Sequence, residues 1–259
     1  MQIVKKNLAK LTLLSVFSSV LFGCASIANM AGYDSAKLNE MSAQAYAEVR
    51  QEEKANIDTT SNTAKRITRV YNRLLPYADK LNNTGVKFDW QLTVIRKDVI
   101  NAFAMPGGKI VFYTALIEKL NLNDNEIAAI MGHEMIHALN EHSKQRIGQQ
   151  LIVSGAVVGS SILTGVSSDS LSILADLGVS KPFSRSNETE ADIEGLFLMA
   201  QAGYNPENAI TLWQKMEAYS GGSSFSLLST HPSDEKRYKT LQENLPKAME
   251  IYNKAIGKS

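Results

Sequence analysis

The chain has 259 residues, with 27 Lys+Arg against 26 Asp+Glu and a formal net charge of +1. Charges so evenly balanced give no electrostatic case for a nucleic-acid partner. A hydrophobic content of 44% over this length suits one well-buried globular domain.

Lys5, Lys6 and Lys10 open the chain with positive charge, and Leu11 to Phe22 follows as an apolar stretch of 12 residues. That is too short to span a bilayer comfortably and has the form of an export signal. It ends in Leu21-Phe22-Gly23-Cys24, which resembles a bacterial lipobox. The resemblance implies cleavage before Cys24 and lipid on its thiol; an ordinary signal with an incidental cysteine is the plain alternative. Residues 1–23 are thus read as a lipoprotein signal peptide, 24–36 as a lipid-anchored tether and 37–259 as a single domain. Cys24 is the one cysteine, so no disulfide can form within the chain even in an oxidising compartment. In lipoproteins of this type, Ala25 after the cysteine goes with transfer to the outer membrane, the inner membrane being the alternative.

Further along, Leu38, Met41, Ala45 and Val49 recur at helical spacing, as do Ile67, Val70, Leu74 and Leu75 before Pro76. Asn82-Asn83-Thr84-Gly85 marks a turn. Val86 to Ile95 alternates as a strand does, and Lys109 to Tyr113 is a second β-prone run. Between them, Pro106-Gly107-Gly108 predicts a tight turn joining two extended pieces. Asn123 or Asp124 can cap a helix that carries Ile127, Ile130, Met131, Met135, Ile136 and Leu139 on its apolar side. Residues 147–168 carry no charge and include Gly155 and Gly159 at GxxxG spacing. Gln149, Gln150 and several serines and threonines favour a buried helix or a flap over a membrane span. Two more helices are expected at 187–202 and 206–219, then a loop at 221–224 and a C-terminal helix from near Ser233.

The central helix carries His133-Glu134-Met135-Ile136-His137. Residues four apart share a helix face, so both imidazoles can reach one metal ion, with Glu134 beside them as a base. A catalytic zinc takes three protein ligands and leaves a fourth position open. His142 lies about 140° round the helix from His137 and about 180° from His133, which points it away as a structural or solvent-facing residue. The pattern HExxHxxGxxH fails too, because Asn140 stands for the glycine and Ser143 for the last histidine. The third ligand is therefore expected to be a carboxylate on a later helix. Glu188 and Asp192, four apart, offer one: Glu188 could ligate while Asp192 accepts the outer N–H of a ligand histidine. An ordinary charged helix face is the alternative.

HExxH followed about fifty residues later by Ser184-Arg185-x-x-Glu188-x-Glu190-Ala191-Asp192 resembles the HtpX-like gluzincin metallopeptidases, a family that includes the CAAX prenyl endopeptidases. The lipobox points to its bacterial periplasmic lipoprotein branch (LoiP-like). The resemblance runs from about residue 60 to 245. It implies an α+β fold, mainly helical, with a small β-sheet whose edge strand borders the active site, and one Zn²⁺ per chain on His133, His137 and Glu188. Glu190, about 200° round the helix from Glu188, should be exposed. Asn101-Ala102-Phe103-Ala104 resembles the strand along which gluzincins take a peptide substrate as an added strand; a plain core strand is the alternative. Thr230-His231-Pro232 with Arg237 resembles the family's C-terminal His-Pro element, whose histidine and arginine stabilise an oxyanion. In some periplasmic members that histidine is a fourth ligand holding the enzyme latent; a cap or turn role is the alternative. The activity implied is a zinc-dependent endopeptidase with Glu134 as base, acting at the membrane on unfolded or misassembled envelope proteins. The rival is an envelope chaperone or assembly factor with a latent, histidine-capped zinc site.

Overall fold

The computed structural model describes residues 23–153, 157–158, 161–162, 182–219, 227–231 and 235–258. All but the last residue of the signal read over residues 1–23, the loop read at 221–224 and the helix start read at Ser233 lie outside the described residues. The architecture is α+β, predominantly helical around a small three-stranded sheet.

The first two long helices, Ser35–Glu52 and Asn62–Lys80, each start on a side-chain oxygen: Asp34 accepts from the Lys37 N–H and Ser61 from the Ala64 N–H. The second runs through Pro76 instead of stopping before it. One proline removes a single backbone bond, while Leu74 and Ala78 keep the same face buried on either side of it.

The strands are β1, Gln91–Ile95, β2, Ala102–Met105, and β3, Lys109–Tyr113, in the order β1-β3-β2. β1 runs parallel to β3 and β2 antiparallel to it, so β2 lies at an edge. The strand expected over 86–95 is paired only from Gln91. Its partner β3 begins at Lys109, and the chain just before it is occupied by the turn at 106–108, leaving Val86 to Trp90 nothing to pair with. In that turn Gly107 and Gly108 have φ of +74° and +83°, and a Cβ on Gly108 would stand 2.6 Å from the Trp90 ring. Glycine is required there on both counts.

Period-two alternation splits the sheet between two cores. Ala102 and Ala104 join Ile110 and Phe112 in the main core, while Phe103 and Met105 pack with Val111, Ile95, Ala45 and Tyr46 under the first long helix. The main core is closed by Asn62–Lys80, Asp124–Leu139, Arg185–Gln201, Glu207–Ala218 and Glu235–Ala255. Asp124–Leu139 is buried nearly all round, and each fully buried Ile or Met on it contributes roughly 1.5–3 kcal/mol. Its start is a reciprocal cap: the Asn123 side chain accepts from the Glu126 N–H at 3.0 Å, and Glu126 accepts from the Asn123 N–H at 2.8 Å.

Two expectations are corrected. Residues 147–168 do not form one helix: His142–Val153 ends there, and Val157–Val158 pairs antiparallel with Ser161–Ile162. Adjacent β-branched valines favour that extended pairing. Gly155 and Gly159 lie outside the described residues, and no helix among the described residues is long and apolar enough to cross a membrane. The segment read as a tether is not loose either. Residues 23–30 are helical, and Ala28 is fully buried with Tyr33, Leu38, Met41, Ile147 and Leu151. Ile27, Ala28 and Ala31 supply a helical stripe that small side chains disguise in the sequence.

Candidate metal centre

Asp124–Leu139 carries His133, Glu134 and His137. Arg185–Gln201, capped by Ser184, carries Glu188 and Asp192. His231 follows the short helix Leu227–Thr230, tied back by its N–H to the Leu227 carbonyl at 2.8 Å, and Arg237 sits in the first turns of Glu235–Ala255.

One ligand atom from each of His133, His137, Glu188 and His231 lies within 4.8 Å of the others. His133 Nε2 is 2.9 Å from His137 Nε2 and 3.2 Å from His231 Nδ1. Each of the first two is 3.5 Å from a Glu188 oxygen, and His231 Nδ1 is 3.0 Å from Glu188 Oε1. Two ligands bound tetrahedrally at zinc distances stand about 3.3 Å from one another. The spacing and the donor set, imidazole nitrogens with one carboxylate, therefore fit a tetrahedral metal ion. The cluster can hold one.

Electrostatics agree. Burial disfavours a charged His133, but the Asp192 and Glu188 carboxylates outweigh it and raise the ring to about 10. A cation at the centre answers the same excess of negative charge. Burial also pushes Glu188 up, yet the surrounding imidazoles, His231 first, hold its carboxyl well below the ordinary range. His137 is lowered by burial and then by His133.

Around the cluster, Asp192 Oδ1 is 3.0 Å from His133 Nδ1. Arg237 forks onto Asp192 at 2.6 and 2.8 Å and reaches Glu188 Oε2 at 2.8 Å, its guanidinium 4.7 Å over the Trp213 ring. Arg237 thus grips the two carboxylates, where the resemblance implied an oxyanion partner. Glu134 is raised by burial. One of its oxygens accepts from the Ala104 N–H at 3.1 Å; the other is buried without a hydrogen-bond partner, with His231 Nε2 at 3.4 Å. The Ala104 bond aims the outer edge of β2 at the cluster. Asn101 is buried beside it, its side chain accepting from the Ala102 N–H, and Phe103 points to the opposite core.

One placement differs from expectation. Of the two roles expected for His142 it takes the structural one, but it is not turned away: it is fully buried, with Nδ1 2.8 Å from His137 Nδ1. The helical-wheel angle assumed a continuous helix, but the helix ends at Leu139, Glu141 turns left-handed at φ +51°, and a new helix begins at His142. Glu190 is exposed, as expected, and its carboxylate bonds His142 and Asn140. Phe183, unremarked in the sequence, stacks on His137 with ring centroids 4.0 Å apart.

A helix-borne pair of histidines joined by a glutamate from a neighbouring helix, with a buried glutamate beside the first histidine, defines a metallopeptidase domain. The chain belongs to peptidase family M48, whose profile matches residues 61–245. It is 38% identical over 161 residues to the mitochondrial metalloendopeptidase OMA1 of Schizosaccharomyces pombe, covering 61% of this chain and 48% of that protein. It is 30% identical over 215 residues to the metalloprotease LoiP of Escherichia coli, covering 81% of each, and 25% identical over 254 residues to YcaL of the same organism, covering 93% and 98%. The chain spans about half or less of the length of the mitochondrial relatives from the two yeasts and Arabidopsis thaliana. Similarity is thus shared between mitochondrial and bacterial members and does not single out the lipoprotein branch.

Proposed function

We propose that this protein is a zinc-dependent endopeptidase, lipid-anchored through Cys24 in the bacterial envelope, that cleaves unfolded or misassembled envelope proteins. The observation that carries the catalytic reading is the orphan oxygen of Glu134, buried beside a donor set spaced for one metal ion. His133, His137 and Glu188 are the ligands, one zinc per chain. Bound there, zinc supplies Lewis-acid activation of a water and of the scissile carbonyl. Glu134 takes the water's proton and carries it to the departing amine; burial raises its affinity for that proton, which suits the second half of the task. Asp192 accepts from His133 Nδ1 and so frees Nε2 for the metal. A substrate strand adds along Asn101 to Ala104 at the edge of β2 that no other described strand pairs, taking over the Ala104 N–H from Glu134, and main-chain bonding there suits an unfolded chain of many sequences. His231 Nε2, near Glu134, is the better oxyanion partner, and Arg237 orients Glu188 and Asp192.

Glu134→Gln keeps the acceptor for Ala104 and removes the base. It is expected to lower casein cleavage by about 10²–10⁴-fold with zinc retained at one per chain. Undiminished cleavage would reject Glu134 as base, and absence of stoichiometric zinc in the wild type would reject the enzyme. A second reading has its own observation: His231 Nδ1 occupies the fourth position of the donor set, 3.2 Å from His133 Nε2. The resting site is then capped, and the protein serves as a latent protease or as an envelope assembly factor until substrate displaces His231.

A further inference from the structure

Each ligand histidine has a second ring nitrogen, and the two are served differently. His133 Nδ1 meets the carboxylate of Asp192. His137 Nδ1 meets another imidazole, His142 Nδ1, at 2.8 Å, and His142 Nε2 lies 3.2 Å from Glu190 Oε2. A neutral imidazole has one N–H donor and one bare acceptor. His137 turns Nε2 toward the other ligand atoms, so for that nitrogen to accept a metal its proton must lie on Nδ1. His142 Nδ1 must then be the acceptor, which leaves the His142 proton on Nε2, facing Glu190. One tautomer assignment satisfies all three groups.

We infer that His142 and Glu190 form a positioning relay that holds His137 in its metal-accepting tautomer and orientation. The inference rests on the metallopeptidase reading of the same site. The chain breaks a helix to build it. Asn140 closes the HExxH helix, Glu141 adopts its left-handed turn, and His142 is swung back beneath His137. Asn140 Nδ2 donates to Glu190 Oε1 at 2.9 Å and to Glu194 Oε2 at 3.0 Å, so the break is tied to the carboxylate that ends the relay. Phe183 covers the pair, stacked on His137 and 6.1 Å from the His142 ring centroid, which keeps water from replacing the imidazole as acceptor. A neutral acceptor strengthens a ligand's donation less than a carboxylate does, so His137 is held mainly in place while His133 is also made more basic.

Two substitutions separate this role from packing. His142→Asn puts Oδ1 where Nδ1 stood and keeps an acceptor for His137; His142→Leu fills similar space without one. Zinc affinity by chelator competition is expected to fall 10–100-fold in the Leu variant and to stay within about threefold of wild type in the Asn variant, at matched melting temperatures. In metal-free protein, long-range ¹H–¹⁵N correlation of the imidazoles should show His137 protonated at Nδ1 in wild type and Asn variant, and a mixture in Leu. Equal zinc affinities for Asn and Leu, or a wild-type His137 protonated at Nε2, would overturn the relay. If wild type bound no zinc the enzyme reading would fail separately, because the tautomer measurement uses the metal-free chain.

Discussion

Glu134, Glu188 and Asp192 are each less than a tenth exposed, and so is Arg237, whose guanidinium touches two of them. Removing one partner of a buried charge pair leaves the other uncompensated and costs about 3–5 kcal/mol. A divalent ion on Glu188 supplies compensation of its own. Arg237→Met is therefore expected to destabilise the metal-free protein by about 3–5 kcal/mol and the zinc-loaded protein by clearly less. Melting curves with excess zinc and with chelator measure the difference; an equal loss in both states would show that Arg237 and the metal do not share the same carboxylates. The candidate ligands were legible in the sequence by two routes: helical spacing pairs His133 with His137, while spacing left Glu188 and Asp192 readable as a plain charged face until the family resemblance singled out Glu188. His142 was not. Its position depends on one left-handed residue, Glu141, and neither glycine nor proline stands there to announce the break. Arg237 was legible as a site residue, but its partners depend on a side-chain fork that spacing does not encode.

Between elements, the decisive contact is the crossing of the HExxH helix with Arg185–Gln201, which sets the distance from His133 to Glu188. Glycines meet there: a Cβ on Gly132 would stand 2.8 Å from the Gly195 carbonyl oxygen, and one on Gly195 2.7 Å from the His133 nitrogen. Both clashes are with backbone, which cannot swing aside. Alanine favours a helix over glycine by about 1 kcal/mol, so any net destabilisation of Gly195→Ala measures the crossing itself. The variant is expected to lose about 1–3 kcal/mol of stability and to bind zinc at least tenfold more weakly, as the Glu188 helix is pushed from His133. Stability at or above wild type, read by urea unfolding, would show that the helices can part freely. The helices were readable from apolar periodicity, yet two glycines inside strongly helical runs were the unused clue to where they touch. β1 was read too long because alternation marks residues able to form a strand and does not say how far a partner extends.

Across the whole molecule, the beginning of the described chain is docked on the helix that His142 begins, through the apolar packing of Ile27, Ala28 and Ala31 and one close backbone approach. Residues 23–30 lie on His142–Val153, and a Cβ on Gly148 would stand 1.7 Å from the Cys24 carbonyl oxygen. Cys24 itself is only 7% exposed. Ile152, one turn on from Gly148 and so on the same helix face, is exposed, as are Val153 and Met30. On the proposed lipidation, an acyl chain on Cys24 would hold this apolar end at the membrane surface, and the covalent anchor and the docked helix would be separable contributions to one orientation. Cys24→Ala removes the first: the protein is expected to leave the membrane fraction with zinc content and casein cleavage unchanged, and continued sedimentation with membranes would reject the anchor. Gly148→Ala removes the second. The proposed lipid would stay, but the new methyl group cannot coexist with the Cys24 carbonyl, so residues 23–30 should lift off and become accessible to limited proteolysis without release of a lipid-anchored protein from the membrane. Undiminished protection of that segment would mean that the helix docks without needing the space Gly148 leaves. Because the substitution lies in the helix that His142 begins, zinc affinity in Gly148→Ala also reports how rigidly the docked segment is coupled to the metal centre; a docked helix that merely covers surface predicts a change of less than about threefold, inside the margin of a non-coupled site.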